Sequence, residues 1–150
     1  MHARRMMCGA ATRAALGEQM AQEQEREAVR QANGAFYGAF QSLDAERMRA
    51  VWADGDAVAV VHPGWRPLAG IDQVMESWRR IFEGATLMQF TVTGVQVHFD
   101  SETTARVLCL ENLTTVLDGA VSEGRVQATN VFVKSNGRWL MVHHHGSPVM

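Results

Sequence analysis

The sequence is poor in the residues that mark extracellular, metal-binding or membrane-embedded proteins. Of its 150 residues only two are cysteines, three are prolines and one is a tyrosine. Cys8 lies in a predicted disordered tail and Cys109 in an apolar strand pattern, so we predict no disulfide between them. Two cysteines without the CxxC spacing indicate a reducing compartment and no zinc site. No apolar run approaches the roughly 20 residues that a membrane helix needs. We therefore expect a soluble, cytoplasmic protein.

Charge of a single sign is also missing. Fourteen Lys and Arg residues stand against 16 Asp and Glu residues, which gives a formal net charge of −2. Nucleic-acid binding and membrane binding need a one-sided basic surface, so we expect neither partner. The apolar fraction of 47% and the charged fraction of 20% are typical of a globular protein.

The chain is long enough for one domain and too short for two ordinary ones. Residues 1–17 contain three arginines and no acidic residue, and they lack the apolar stretch of a secretory signal. We predict a disordered or frayed tail over residues 1–17, with a targeting segment as the alternative. Residues 18–150 are predicted to form a single domain.

Helical periodicity dominates the first half of this domain. Apolar residues recur three and four positions apart in a first helix that starts at Glu18. A second helix over 45–52 can be capped by Asp44, and a third over 71–82 stops at Glu83-Gly84. A short strand over 57–62 lies between the second and third helices, followed by a loop over 64–70.

After Gly84 the period changes to two, which predicts four successive strands over 86–99, 103–117, 125–134 and 139–145. Asn136-Gly137 is a strong signal for a tight hairpin. The apolar phase of the first long strand slips across Gly94, as a β-bulge would make it do. The fold class is therefore α+β, with a curved antiparallel or mixed sheet wrapped around three helices.

Several strands are apolar on both faces, including Leu108 to Leu110, Val131 to Val133 and Leu140 to Val142. A sheet with one face in water should alternate apolar and polar residues. We expect the helices to cover one face and a second copy of the chain to cover the other, in a homodimer.

Several short strings resemble the nuclear transport factor 2-like superfamily, and more closely its SnoaL-like branch, between about Glu25 and Pro148. The strings are Trp52-Ala53-Asp54-Gly55-Asp56, Val60-Val61-His62-Pro63-Gly64, Leu68-Ala69-Gly70, Ser77-Trp78, Glu111-Asn112, Ala128-Thr129-Asn130-Val131-Phe132, Gly137-Arg138-Trp139 and His144-His145-Gly146-Ser147-Pro148. The resemblance implies a cone-shaped, cystatin-like α+β fold. The superfamily includes steroid isomerases, polyketide cyclases, dehydratases, kinase association domains and binding proteins, and fold alone does not choose among them.

The resemblance implies a pocket between the helices and the concave face of the sheet, opening near the first strand. We expect Trp52, Trp65 and Trp78 to contribute apolar ligand contacts there, with His62 as a titratable group. Core packing is the alternative for Trp78, and a surface cap is the alternative for Trp65. Tyr37, on the first helix, is a further candidate ligand-binding residue.

Two polar residues, Glu111 and Asn130, interrupt apolar strands, where an unpaired polar group is costly. A buried carboxyl group can have a raised pKa and act as an acid or base, so Glu111 is a candidate catalytic residue. Asn130 is a candidate ligand-binding residue. The alternative is that the two residues only hydrogen-bond each other or an arginine.

Three histidines, His143 to His145, follow one another in the last strand, so His143 and His145 share one face. We expect His143, with His62, to be catalytic and His145 to line the pocket, while His144 faces the dimer contact. A zinc site of His62, His143 and His145 is the alternative, but we predict no metal. Phosphate-loop, GxSxG and HExxH motifs are missing, and we predict no cofactor.

Three functions are consistent with these features. The first is a homodimeric protein that binds a small hydrophobic, aromatic or acidic ligand in an apolar pocket. The second is a small cofactor-independent isomerase, cyclase or dehydratase that uses acid–base chemistry on a hydrophobic substrate. The third, implied by the resemblance, is an oligomerisation module like a calcium/calmodulin-dependent kinase association domain.

Overall fold

A computed structural model describes the backbone of residues 3–150 and the side chains of residues 9–150. The elements in chain order are α1 (Ala3–Ser42), α2 (Ala45–Val51), β1 (Ala59–Val61), β2 (Leu68–Ala69), α3 (Ile71–Gly84), β3 (Ala85–Ser101), β4 (Thr104–Leu117), β5 (Ala120–Ser135) and β6 (Arg138–Pro148). Within the described residues, no helix is both long enough and apolar enough to span a bilayer.

Helix α1 contributes the longest apolar stripe to the domain. Val29, Phe36, Tyr37 and Phe40 are all buried on the side that faces the sheet. The helix starts at Ala3, so residues 3–17 are helical where the sequence predicted a frayed tail, while residues 1 and 2 lie outside the described part. All side chains over 9–24 are exposed, and the packed part of the helix begins after them.

The two shorter helices begin and end close to their predicted limits. At the start of α2, a carboxylate oxygen of Asp44 accepts hydrogen bonds from the backbone N–H groups of Glu46 (2.9 Å) and Arg47 (3.2 Å), which confirms the predicted cap. Helix α3 turns one face inward through its buried residues Val74, Met75, Ser77, Trp78 and Phe82. This inward face brings the indole of Trp78 into the centre of the domain.

Six strands form one mixed sheet in the order β2-β1-β6-β5-β4-β3. Strand β1 runs parallel to β6, and all other neighbours are antiparallel. The β4–β5 and β5–β6 hairpins turn at Asp118-Gly119 and Asn136-Gly137, where all four residues have positive φ angles between 49° and 79°. Two consecutive positive φ angles are the signature of a type I′ turn, whose twist suits a hairpin.

The sheet curves around the helices, and a β-bulge in β3 contributes to that curvature. Pairing between β3 and β4 shifts between Thr93 and Gln96, and Gly94 between them has a φ angle of 63°. This confirms the bulge predicted from the phase slip at Gly94, because glycine tolerates this left-handed conformation. The α+β, cone-like fold class is likewise confirmed.

Strand β2 was not predicted. Leu68 and Ala69 pair with Val60 and Ala59 of β1, within the segment interpreted from sequence as a loop. A strand of two residues is too short to show alternation, and Pro67 directly before it suggests a turn.

Aromatic rings fill the space between α1, α3 and the sheet. Trp78 contacts Phe36 and Phe40 edge-to-face, with ring centroids 5.8 Å and 4.7 Å apart. Phe40 in turn lies 4.4 Å from Phe90 of β3 and 6.2 Å from Phe82. The interior of the cone is thus a packed aromatic layer, and the polar groups lie beside it.

Candidate functional site

Six polar side chains lie together on the concave face of the sheet, at 5% exposure or less. We call this group the polar cluster: Asn33 and Tyr37 of α1, Cys109 and Glu111 of β4, Asn130 of β5 and His144 of β6. Burying so many polar groups costs free energy that apolar residues would avoid, unless each group is hydrogen-bonded. The cluster is therefore the feature of the interior that most needs an explanation.

Local geometry brings these residues together. Asn33 and Tyr37 are four positions apart and share one face of α1. Cys109 and Glu111 are two apart in β4, so both point inward. Asn130 pairs with His144 across the β5–β6 hairpin and places both side chains on the same face.

Tyr37 and Glu111 form the shortest contact in the cluster. The Tyr37 hydroxyl donates to Glu111 Oε2 over 2.5 Å and lies 3.4 Å from Cys109 Sγ. Burial raises the pKa of Glu111 to about 7, although the hydrogen bond from Tyr37 opposes this effect. Burial, together with the charge of Glu111, raises the pKa of Tyr37. Near neutral pH, Glu111 can therefore gain or lose a proton while Tyr37 stays a neutral donor.

Asn130 links the other members of the cluster. Its Nδ2 donates to Asn33 Oδ1 (2.8 Å) and to the Tyr37 hydroxyl (3.3 Å). Its Oδ1 lies 2.6 Å from Nδ1 of His144. Burial lowers the pKa of His144 to about 3, so the ring is neutral at ordinary pH. Asn130 is thus buried and hydrogen-bonded, and its link to Glu111, the alternative to a ligand-binding role, runs through Tyr37.

His62 lies inside the domain but outside the polar cluster. The Ser77 hydroxyl donates to the carbonyl oxygen of Val74 over 2.6 Å, so Ser77 Oγ accepts from His62 Nε2 at 2.9 Å. Burial lowers the pKa of His62 to about 4. The ring also packs against Trp78, with centroids 4.6 Å apart. This neutral, packed histidine reaches the cluster only through the aromatic layer.

The three candidate tryptophans do not form one site. Trp52 and Trp78 are core residues at 2% and 0% exposure, whereas Trp65 is 43% exposed and packs edge-on against His62. Within the described part of the chain, no hydrogen-bond acceptor reaches Nε1 of Trp52 or of Trp78. A buried donor without a partner costs about 1–3 kcal/mol, so these two indoles are polar groups that the core leaves unsatisfied.

The predicted orientation of the last strand is wrong. Pairing between β5 and β6 shifts where Val131 opposes His143 and Phe132 opposes Met141, so Val142 is an extra residue in β6. This bulge reverses the alternation that starts at Trp139 and Met141. His144 consequently points inward, 4.9 Å from the ring of Phe36, and His143 and His145 lie on the convex face.

The same bulge separates the residues of the alternative zinc site. His62 is buried in the interior, whereas the rings of His143 and His145 lie 6.3 Å apart on the convex face. Among side chains 9–150, no group of three or more His, Cys, Asp or Glu residues is placed to hold a metal ion.

Sequence reasoning missed Asn33, Cys109 and His144 as site residues. Asn33 had a readable signal, because it falls four positions after Val29 on the apolar stripe of α1. His144 had none, because its direction depends on the bulge. Cys109 was predicted only as a strand residue, and it is a free, buried thiol whose pKa burial raises.

A surface groove of about 620 Å³ lies between the 64–68 loop and α3. Trp65, Arg66, Ser77 and Arg80 are among the residues that line it. The groove is lined by Ser77 and Trp65, which both contact His62, and its lining includes no member of the polar cluster. The members of the cluster are at 5% exposure or less, so the cluster is enclosed and a ligand would reach it only after a side chain moves.

Comparison with known proteins agrees with the fold. Residues 29–150 match the family model described as the SnoaL-like domain. A putative dehydratase of the NTF2-like family from Streptomyces avermitilis is 35% identical, with a TM-score of 0.80 over 86% of this chain and 99% of that one. A putative calcium/calmodulin-dependent protein kinase type II association domain from Thiobacillus denitrificans is 34% identical, with a TM-score of 0.70 over 79% and 93% of the two chains.

Among curated proteins, the F-box protein SKIP8 of Arabidopsis thaliana is 30% identical over 126 residues, which is 82% of this chain. The chain spans about half the length of that relative, since the match covers 50% of it. The family model covers most of the chain and includes Asn33, Tyr37 and all strands of the sheet. The chain belongs to the family of SnoaL-like domains, within the nuclear transport factor 2-like superfamily.

Proposed function

We propose that the chain binds a small, largely apolar molecule against the polar cluster, and that Glu111 transfers a proton to or from it. The reaction would be of the isomerase, cyclase or dehydratase type, in which a C–H or C–O bond changes with the help of an acid or base. Tyr37 would donate a hydrogen bond to a ligand oxygen, and Asn130 would orient the ligand.

The observation that carries this proposal is the hydrogen bond between two buried side chains, the Tyr37 hydroxyl and the Glu111 carboxyl. A carboxyl group with a pKa of about 7 is divided between its acid and base forms at neutral pH, which is the condition for efficient general acid–base catalysis. The carboxyl lies 2.5 Å from a tyrosine hydroxyl that stays protonated. A carboxyl that served packing alone would be replaceable by an apolar residue at lower cost.

The buried indoles support the binding part of the proposal. The unsatisfied N–H groups of Trp52 and Trp78 are donors that a carbonyl or hydroxyl oxygen of a ligand could accept from. Phe90 is the half-buried ring next to the cluster, with its centroid 5.3 Å from that of Tyr37. Displacement of Phe90 would open the cluster from the β3 side.

The relatives agree with this class of chemistry without defining it. The Streptomyces relative, at 35% identity, carries the name of a putative dehydratase. Dehydration of a β-hydroxy ketone and isomerisation of an unsaturated ketone can both begin with removal of a proton next to the carbonyl by a base, and the environment of Glu111 suits that step.

The test is proton exchange between solvent and a panel of small probes. Wild-type protein would be incubated in D₂O with cyclic ketones and β-hydroxy ketones, and deuterium uptake at carbon followed by NMR. We expect uptake with at least one probe, a loss of about 100-fold or more in Glu111→Gln, and a smaller loss in Tyr37→Phe. Phe90→Ala should increase the uptake by opening the cluster.

Glu83→Gln is the matched control, because Glu83 is an exposed carboxylate at the end of α3. It should exchange probes as the wild type does. Uptake that survives in folded Glu111→Gln would show that another group acts as the base. Folded wild-type protein that exchanges no probe in the panel would contradict the catalytic proposal.

Self-association through the convex face is the second candidate function. Aliphatic side chains cover the middle of that face: Leu108, Leu110, Val131, Val133, Leu140 and Val142. An apolar sheet face with no layer over it is typical of a surface that packs on another protein. The Thiobacillus relative, at 34% identity, is named as an association domain. A second copy of the chain is the occupant that we propose.

Sedimentation velocity over a range of protein concentrations tests this association. We expect a homodimer that dissociates in Val142→Asp, because a charge placed among these aliphatic side chains would have to be buried without a partner. Thr91→Asp is the control, since Thr91 lies on the same face of the sheet but in its polar, exposed part. A monomeric wild type, or a dimer that survives Val142→Asp, would contradict the proposal.

A further inference from the structure

A continuous row of hydrogen bonds crosses the interior from β6 to β4. His144 Nδ1 lies 2.6 Å from Asn130 Oδ1, Asn130 Nδ2 lies 3.3 Å from the Tyr37 hydroxyl, and Tyr37 lies 2.5 Å from Glu111 Oε2. Four elements each contribute one member, and all four residues are buried. The two ends of the row are both titratable.

The direction of this row follows from the donors and acceptors available. The NH₂ group of Asn130 has two hydrogens and no lone pair to offer. It points at Asn33 Oδ1 (2.8 Å) and at the Tyr37 hydroxyl, so both of those oxygens accept. Tyr37 has a single hydrogen, which is then free to be donated to Glu111. On the other side, Asn130 Oδ1 can only accept, so Nδ1 of His144 must carry a proton.

We infer that His144 is a positioning residue: its Nδ1–H fixes the Asn130 amide, so that every hydrogen in the row points toward the Glu111 carboxyl. A row of aligned donors that ends on a carboxyl group favours the ionised form of that group. His144 acts on Glu111 without touching it. This inference deepens the proposed function and rests on it, since it explains how the same site would control the charge of its proposed base.

The opposite orientation of the Asn130 amide shows what the Nδ1–H group of His144 prevents. If the Asn130 amide were rotated by 180°, its oxygen would face Tyr37 and accept the only hydroxyl hydrogen. Tyr37 could then only accept from Glu111, which would have to keep its own proton. The orientation of the Asn130 amide thus decides whether Glu111 is held as a base or as an acid. His144 Nδ1 on the far side of the amide and Asn33 Oδ1, which accepts from Nδ2, both favour the observed orientation.

The surroundings of His144 suit a fixed, neutral ring. Phe36 and Trp78 flank it at centroid distances of 4.9 Å and 6.0 Å. The titratable side chain in contact with the row is Cys109, 3.4 Å from the Tyr37 hydroxyl. Burial is the main cause of the lowered pKa of His144, and positive charge on His62, His143 or His145 would lower it further. Burial and these neighbouring charges favour the neutral ring.

The first measurement uses the unaltered, full-length chain. Nitrogen-15 NMR of histidine-labelled protein distinguishes the two neutral tautomers, with His143→Gln and His145→Gln used to assign the signals. We expect His144 to carry its proton on Nδ1 across neutral pH. A proton on Nε2 would overturn the inference, whatever the protein binds.

The second measurement titrates Glu111 without a substrate, by carbon-13 NMR of labelled glutamate carboxyl groups assigned with Glu111→Gln. His144→Leu removes the donor, whereas His144→Asn keeps an N–H group near the position of Nδ1. We expect His144→Leu to lower the ionisation constant of Glu111 about tenfold and His144→Asn to change it less than threefold.

Equal effects of the two substitutions, or no effect of either, would overturn the positioning role, since only the donor distinguishes them. If His144→Leu does not fold, the tautomer measurement still decides the inference. Neither measurement needs turnover. If the protein exchanges no probe but shows the expected tautomer of His144 and the expected titration of Glu111, the proposed function fails while this inference holds.

Discussion

The two faces of the sheet formed by strands β4 to β6 carry side chains of opposite polarity. The concave face holds buried polar groups, and the described contacts link them into one hydrogen-bonded cluster around Tyr37 and Asn130. The convex face holds aliphatic side chains and no comparable network among the described residues, and its side chains are half-buried by one another. The usual distribution, apolar inside and polar outside, is locally reversed.

Both the buried polar groups and the exposed aliphatic groups have a physical cost, and a function would explain why each is retained. Polar groups in the interior lower stability unless they are paired, so their retention suggests chemistry. Aliphatic groups at the surface lower solubility unless they are covered, so their retention suggests a partner. Four predictions compare the energetic contributions of residues on the concave and convex faces.

The largest effect should come from adjacent residues on opposite faces of β6. Met141 is fully buried on the concave face, and Leu140 is half-buried on the convex face. Met141→Ala should lower the free energy of unfolding by about 2–5 kcal/mol, because it leaves a cavity. Leu140→Ala should cost about 1 kcal/mol or less in dilute protein. Urea denaturation at two protein concentrations checks both values.

A larger cost of Leu140→Ala at the higher concentration would show that a second copy covers the convex face. An effect of Leu140→Ala equal to that of Met141→Ala in dilute protein would mean that the two faces are not energetically different.

The sequence predicts the bulge of β3 and misses the bulge of β6, for a physical reason. In β3 the phase slip falls on Gly94, a residue that marks a bulge. In β6 the bulge falls at Val142, where neither glycine nor proline marks it, and one residue of slip exchanges His144 for its neighbours.

The Tyr37–Glu111 pair was beyond sequence reasoning for another reason. The two residues are 74 positions apart, and their contact depends on how α1 lies across the sheet. Periodicity identifies the inward face of a regular element such as α1, where it places Phe36 on the apolar stripe. The pairing of inward residues from different elements follows from packing, which periodicity does not encode.

The second prediction concerns Glu111 on the concave face. Raising its pKa from 4.5 to about 7 makes its ionisation cost about 3 kcal/mol in the folded protein. Glu111→Gln removes this cost and keeps an oxygen that can accept from Tyr37. The substitution should therefore stabilise the protein by up to about 3 kcal/mol at pH 8 and by little near pH 4. Denaturation at the two pH values measures the difference, and equal effects at both would contradict the raised pKa.

The third prediction is the acid sensitivity of the concave face. The pKa values of His62 and His144 are lowered from 6.5 to about 4 and about 3, so the unfolded chain binds more protons at these two sites below pH 6.5. Stability is therefore lost as the pH falls. Glu111 acts in the opposite sense, because its raised pKa makes the folded protein bind the extra proton between pH 4.5 and 7.

Because two histidines act against one carboxyl group, the free energy of unfolding should fall by about 1.4 kcal/mol for each pH unit of acidification near pH 5.5. His144→Asn should remove most of this slope, and Glu111→Gln should about double it. Denaturation between pH 4.5 and 6.5 gives the slopes. A slope that His144→Asn leaves unchanged would show that acid sensitivity arises elsewhere.

The smallest effect should come from His143, the convex neighbour of His144. Partial burial, together with the charge of His145, lowers the pKa of His143, so its loss should reduce the acid slope in the same direction as the loss of His144. Because His143 is only half-buried, His143→Gln should change the slope less than His144→Asn does in dilute protein. A second copy packed on the convex face would bury His143 further, and its contribution would then grow with protein concentration. If His143→Gln changed the pH dependence of stability as much as His144→Asn does in monomeric protein, the two faces would differ less in polarity than the hydrogen bonds indicate.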